Sequence, residues 1–304
     1  MGIFFNKSYF DNKFLLDDKV DDDSFLSVDY SVINDDDYVV QGFTMIKDFF
    51  LISAYYRKNK KDKKKSRIYF FERHLGIYKG FVSLENCAHV GGIAYDEDND
   101  VLFVTGSFGA VNAYSFKSLL RILNGNGDLI KFDSSNLDLS VDLDGNVSAA
   151  TIYYYDNYLY VCTCSNIGRM VKYKIRYDNN KVLIDKRFVY SNLPSCIQGI
   201  VIFEKNDKNY YLFSQSYGRL RSIIKLFDYN FNFIGQKVIK YSGLEGIDID
   251  CCGNIFGVFE NSISCIKNVH ITKLNHNIDN FLEKKYVFKG KEHQFFLDNR
   301  DKKL

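Results

Sequence analysis

Among the side chains of the types that acid–base chemistry uses, three stand out in this 304-residue chain: His89, Glu245 and Glu260. Imidazole and carboxyl groups exchange protons near neutral pH when burial or a neighbour shifts them. Two carboxylates held together can also ligate a divalent cation. Gln41, Gln198, Tyr217 and Arg219 are of binding types. Amides donate and accept, a phenol donates, and a guanidinium holds an anionic or carbonyl oxygen. These positions run from 41 to 260, so they make a site only if the fold gathers them.

A repeat supplies the means. Five segments open with a small residue, pass through a short apolar strand and a polar turn, and resume in an aromatic strand. They are Gln41-Gly42-Phe43 to Ser53, His89-Val90-Gly91-Gly92-Ile93 to Ser107, Ser148-Ala149-Ala150 to Cys162, Gln198-Gly199-Ile200 to Ser214, and Glu245-Gly246-Ile247 to Glu260. With Gly42, Gly92, Ala150, Gly199 and Gly246 taken as equivalent, the steps are about 50, 58, 49 and 47 residues, the length of a four-stranded blade with loops. The expected fold is all-β, a single β-propeller of about five four-stranded blades, with one domain over 1–304 and blade cores over about 41–268. The fifth unit lacks an obvious outer strand, whereas residues 25–33 form a strand pattern ahead of the first. Pairing the two would close the ring and remove both exposed edges. A sixth blade would require residues 1–33 and 270–304 together; otherwise 270–304 is a C-terminal strap or tail.

In a propeller the innermost strands surround one axis, so residues at their starts become neighbours. That register gathers Gln41, His89, Ser148, Gln198 and Glu245. The loop after each second strand adds Tyr55, Ser107, Ser165, Ser216 with Tyr217, and Glu260. Two carboxylates near an axis require a compensating cation. The expected compensators are Arg219, His89 or a divalent metal on Glu245 and Glu260.

The remaining features are structural. The Lys-rich run from Arg57 to Arg67 reads as a solvated hairpin tip between the second and third strands of the first unit. The seven cysteines have no zinc-type spacing and read as reduced, buried strand residues, including Cys162-Thr163-Cys164. The 40 basic and 38 acidic residues leave a net charge of +2, which gives no global field for nucleic acid. No run of apolar residues is long enough for a membrane span. The N-terminus has no secretory signal pattern, so a cytoplasmic location is expected.

The segments Gln41-Gly42, His89-Val90-Gly91-Gly92-Ile93-Ala94, Gln198-Gly199-Ile200, Ser214-Gln215-Ser216-Tyr217-Gly218-Arg219 and Glu245-Gly246 followed by Phe259-Glu260 resemble a group of uncharacterised bacterial β-propeller proteins, many of them secreted. The resemblance covers roughly residues 41–262. It implies the propeller and the axial cluster, and it supplies no reaction. In architecture the chain is more distantly similar to lactonase-like propeller hydrolases, and architecture does not fix function.

Three functions follow as expectations. The first is binding of a small polar or anionic molecule at the channel mouth through Gln41, Gln198, Tyr217 and Arg219 with His89, Glu245 and Glu260. The second is metal-assisted hydrolysis in which His89, Glu245 and Glu260 are catalytic and a divalent cation sits on the two glutamates. The third is an interaction scaffold whose protein partner docks on side loops such as the Lys-rich run.

Overall fold

Short apolar runs separated by residues that tolerate positive φ fold as hairpins along the whole chain. Asp156 and Asn157 take φ 50° and 60°, and Asn206 and Asp207 take 51° and 56°. Two successive positive φ values are what a tight two-residue hairpin turn demands.

The computed structural model describes residues 28–57, 64–137, 149–218, 220–250, 253, 255–260 and 265–268. The chain enters through β1 (Val28–Asp29) and a one-turn helix α1 (Ser31–Asp35). Blade one is β2 (Tyr38–Ile46), β3 (Phe49–Tyr56), β4 (Arg67–Glu72) and β5 (Tyr78–Ser83). Blade two is β6 (Ile93–Asp96), β7 (Val101–Thr105), β8 (Val111–Ser115) and β9 (Lys131–Phe132), with helix α2 (Phe116–Leu123) between the last two strands. Blade three is β10 (Ala149–Tyr155), β11 (Tyr158–Thr163), β12 (Gly168–Asp178) and β13 (Lys181–Leu193). Blade four is β14 (Ile197–Lys205), β15 (Lys208–Gln215), β16 (Arg221–Asp228) and β17 (Phe233–Ser242). Blade five is β18 (Leu244–Ile249), β19 (Ile255–Phe259) and β20 (Cys265–Asn268), completed by β1.

Among the described residues the strands thus form five four-stranded antiparallel sheets. The N-terminal strand closes the ring as expected, pairing Val28 with Ile266 and Asp29 with Cys265. It ends earlier than the pattern over 25–33 suggested, because Ser31 onward turns helical. Since β1 belongs to the fifth sheet, it is not available for a sixth. The expected strap or tail over 270–304 lies outside the described residues.

The apolar residues sort into five clusters, and each cluster joins two blades. Phe70 and Leu102 share the cluster between blades one and two, Phe103 and Leu159 the next, and Tyr160 and Phe213 the next. Leu212 and Leu244 share the cluster of blades four and five, and Val258, Val28 and Phe50 that of blades five and one. A strand buried on both faces reads as a continuous apolar run, as in Phe50-Leu51-Ile52 and Val101-Leu102-Phe103-Val104.

At the axis the inner strands nearly touch. β2, β6, β10, β14 and β18 each meet the next, and β18 meets β2. A Cβ on Gly246 would stand 2.6 Å from the Phe43 backbone nitrogen, and one on Gly92 would stand 2.5 Å from that of Ile152. Glycine is required there because any side chain would separate the blades.

Helix α2 follows directly on the third strand of blade two. β8 ends at Ser115, whose hydroxyl accepts from the Ser118 N–H and caps the helix. Phe116 and Leu119 then bury one face of α2 in the cluster between blades one and two.

Candidate functional site

Four of the five inner strands open with the same local device. The pairing of β2 with β3 slips between Val40 and Gly42, leaving Gln41 as a bulge. Equivalent slips leave Gln198 between Ile197 and Gly199, Glu245 between Leu244 and Gly246, and Ala150 between Ala149 and Thr151. An unpaired bulge residue bends the strand and re-aims its side chain. In blade one the bend is fixed by Ser53, whose hydroxyl accepts from Gly42 N–H at 2.9 Å and donates to Val90 O of blade two at 2.7 Å. In blade two the Thr105 hydroxyl accepts from Gly92 N–H at 2.8 Å.

These registers revise the expected ring. Gln41, Gln198 and Glu245 hold equivalent positions, as expected. In blade two the equivalent of Gln41 is Gly91, because Gly92 plays the part of Gly42; His89 lies further back on the incoming connector. In blade three the equivalent of Gly42 is Thr151 and not Ala150, so Ala150 is the bulge, and Ser148 lies outside the described residues. The second tier is likewise read from pairing: Tyr55, Ser107, Cys164, Ser216 and Glu260 stand at matching places at or just past the ends of the second strands. Tyr55, Ser107, Ser216 and Glu260 were expected there, whereas Ser165 stands one residue too far along.

The two tiers meet at Glu245 and Glu260. The Glu245 side chain hydrogen-bonds Glu260, and the residue is only 6% exposed. Burial first, then the Glu260 charge and the neighbouring Cys164, push the Glu245 carboxyl well above the usual carboxylate range. Of the two, Glu245 is therefore the carboxyl whose protonated form is favoured, with Glu260 as its hydrogen-bond partner. Glu260 also accepts from Arg57, Nη1 to Oε1 at 2.9 Å. Among the described residues the cation paired with Glu260 is thus Arg57, from the start of the Lys-rich run, a residue not among the three expected compensators. Arg219 and residues 58–63 lie outside the described residues.

Tyr55 and His89 extend the same mouth toward blade two. Their ring centroids lie 4.4 Å apart with planes at 31°. Burial raises the Tyr55 phenol, with Glu260 and Glu245 adding to it and Arg57 opposing. His89 is exposed as a residue, yet desolvation of its ring, followed by the Arg57 charge, pushes its imidazole below the usual histidine value. It is therefore neutral near pH 7 and can accept or donate. Toward blade four, Cys164 and Cys196 hydrogen-bond each other beside Glu245. Tyr217, 39% exposed, stands one residue beyond Ser216 on the turn after β15. Gln198 is half-buried, and Gln41 is buried with its amide donating to Val40 O at 2.7 Å.

A second polar cluster lies further along the inner strands. Asp248 of β18 accepts from the Thr44 hydroxyl at 2.9 Å and from Met45 N–H at 2.8 Å, both on β2, and from the Tyr153 hydroxyl of β10. Burial pushes its carboxyl up to about 6 although those bonds pull the other way. Three blades are thereby tied by one carboxyl, and no sequence signal other than an Asp in an apolar strand pointed to it.

The metal expectation was tested on the donor set. Among the described residues no group of three or more His, Cys, Asp or Glu side chains is arranged to hold a metal ion. The two glutamates are occupied with each other and with Arg57, so they do not fit a divalent cation. Cys87 and Cys164 are exposed while Cys162 and Cys196 are buried, which corrects the uniform reading of buried thiols. No helix among the described residues is long and apolar enough to cross a membrane.

No protein-family model matches the chain, and no curated protein matches it. Among solved structures it is similar to the WD40 β-propeller domain of Doa1, at 8% identity and a TM-score of 0.41, over 76% of this chain and 92% of that one. It is also similar to the Cps50 (Swd1) β-propeller domain of Myceliophteria thermophila, at 8% identity and a TM-score of 0.39, over 73% of this chain and 62% of that one. Likeness at this level carries no functional argument.

Proposed function

We propose that the protein binds a small polar, hydroxyl-bearing ligand at the mouth of the axial channel. The observation that carries this reading is the Glu245–Glu260 pair, in which the buried Glu245 carboxyl, its protonated form favoured, hydrogen-bonds a Glu260 tethered by Arg57. Such a pair offers a donor and an acceptor side by side, which is what a hydroxyl group needs. The Tyr55 and His89 rings provide an apolar wall beside it, and Gln198 adds an amide. The polar half of the expected ligand class is favoured over the anionic half, because the mouth's described cation is already engaged by Glu260.

The test is a thermal-shift titration against sugars, polyols, lactones, carboxylic acids and phosphates. Wild type should show saturable stabilisation by hydroxyl compounds, about 2.7 kcal/mol at a hundredfold excess over Kd. Glu260→Gln should abolish it. No shift with any compound, or equal shifts in wild type and variant, would overturn the reading.

The same asymmetric pair favours one second reading, hydrolysis by acid–base catalysis. Glu260 would take a proton from water while Glu245 protonates the leaving oxygen. Turnover of a lactone or glycoside that is lost in Glu245→Gln would support it, and turnover retained in that variant would remove it. The scaffold reading rests on the Lys-rich run, of which residues 58–63 are not described.

A further inference from the structure

Cys164 follows the last residue of β11 and is exposed, two positions beyond the core thiol Cys162. Cys196 belongs to the connector between β13 and β14 and is 4% exposed. The β12–β13 hairpin returns Leu193 opposite Gly168, and this brings the connector back to the end of β11. The Cys196 N–H then donates to Ser165 O at 3.0 Å. On its other side the connector is pinned by the Gln215 amide, which donates to Ser195 O and, at 3.4 Å, to the Ser195 hydroxyl. Cys196 itself adopts φ 48°, a conformation that non-glycine residues take only when their surroundings impose it. With the backbone so held, the Cys196 thiol hydrogen-bonds the Cys164 sulfur. The two sulfurs are neighbours by construction of the loops.

We propose that Cys164 and Cys196 form an oxidisable thiol pair that a small peroxide converts to a disulfide across the channel mouth. Cys164, the exposed member, is the attacking sulfur. Its thiolate displaces hydroxide from the peroxide O–O bond and becomes a sulfenic acid. The Cys196 thiol then attacks that sulfur, the S–O bond breaks, and water leaves as the S–S bond forms. In sum, two thiols and one hydrogen peroxide give one disulfide and two waters. The thiols lose two electrons and the peroxide gains them.

The neighbours assign these roles. The S–H of Cys196 holds the Cys164 thiol below its usual value, and that favours the reactive thiolate. Burial pushes Cys162 the opposite way and keeps it inert, although it shares a strand face with Cys164. A metal is not the better occupant, because the thiols do not combine with further His, Cys, Asp or Glu of the described residues into a metal-binding set. This inference does not depend on the ligand-binding reading.

The experiment uses the full chain carrying Cys87→Ser, which removes the other exposed thiol of the described residues. After brief hydrogen peroxide treatment, the protein should lose the mass of two hydrogen atoms. Non-reducing digestion should yield a peptide linked through Cys164 and Cys196, and dithiothreitol should restore both thiols to alkylation. In Cys196→Ser the same treatment should instead drive Cys164 to its sulfinic or sulfonic acid. Should Cys196→Ser fail to fold, Cys164→Ser serves, with Cys196 expected to remain fully alkylatable after peroxide. The proposal is overturned if wild-type Cys164 gains oxygen while Cys196 still alkylates, or if Cys164 is found linked to Cys162.

Discussion

The carboxyl of Glu245 hydrogen-bonds that of Glu260, and Glu260 is held in turn by Arg57 at 2.9 Å. Glu245 opens the inner strand of blade five and Glu260 follows the second strand of the same blade, so one hairpin presents both groups to the axis.

That arrangement makes stability depend on pH through Glu245. Its carboxyl is raised in the folded state above the value of 4.5 that an ordinary glutamate has. The stability it contributes is therefore full below that value and is lost as pH rises through the folded one. Glu245→Gln keeps a donor toward Glu260 and cannot ionise. As pH rises above the ordinary glutamate value the variant should lack part of the wild-type decline, and its Tm should come to exceed wild type by about 3 °C, roughly 1 kcal/mol. Parallel Tm curves for the two proteins would show that Glu245 does not carry the proton.

Asp248 gives a second, separable titration. Its carboxyl is pushed from 3.8 up to about 6 by burial, against hydrogen bonds from Met45, Ile249 and Thr44. The sign is the same as for Glu245: its contribution is full below 3.8 and is lost as pH rises through about 6. The difference is worth on the order of 3 kcal/mol. Urea unfolding of wild type should weaken by that order between about pH 4 and pH 7. Asp248→Asn should remove most of the slope, whatever its effect on absolute stability.

Arg57 couples the carboxyl pair to His89, since its charge is the second cause lowering that imidazole. Arg57→Met should move the His89 titration upward in an NMR experiment. It should cost less than about 1 kcal/mol of stability, because the Arg57 side chain is largely exposed. An unmoved His89 would mean that the two groups do not sense each other.

The ring of inner strands depends on close approach at Gly246. In Gly246→Ala the added methyl would meet Phe43 N at 2.6 Å and Gly42 C at 3.1 Å, both backbone atoms that cannot step aside. The expected loss is about 2 kcal/mol, seen as a Tm fall of roughly 4–8 °C. A variant as stable as wild type would show that blades five and one have room to spare.

The blades were legible in the sequence because each repeats one constraint: a small residue where inner strands touch, then two apolar runs around a turn. Gly42, Gly199 and Gly246 marked that constraint, and the paired bulge residues Gln41, Gln198 and Glu245 followed from it. His89 and Ser148 were misaligned because blades two and three replace the bulge pair by Gly91-Gly92 and Ala150-Thr151, whose types do not disclose which residue is unpaired. Arg57 was hidden at the edge of a run of lysines, where nothing in the sequence marks it as a residue that turns toward Glu260. Cys196 was hidden for another reason: its partnership with Cys164 depends on how the β12–β13 hairpin returns, and a return has no sequence period. Contacts within a blade recur and can be read, whereas contacts between blades are set by loops.

Closure of the ring is such a contact. Among the described residues the ladder joining β1 to β20 has two pairs, Val28–Ile266 and Asp29–Cys265, too few to hold the chain entrance by themselves. The adjoining Tyr30, 0% exposed, supplies the rest. Its hydroxyl donates to Phe259 O at 2.8 Å and accepts from Phe259 N–H at 2.9 Å, so the chain entrance is clamped to β19 as well. Tyr30→Phe keeps the ring and its packing but leaves a buried N–H and a buried C=O unpaired. Each such group costs about 1–3 kcal/mol, so the variant should lose about 2 kcal/mol or more, a Tm fall of roughly 4–8 °C. Amide exchange at Phe259 should accelerate in step with that loss. If stability and exchange both stay at wild-type values, the hydroxyl is not the clamp, and the closure must rest on the apolar contacts of Val28 and Ile33 in the cluster between blades five and one.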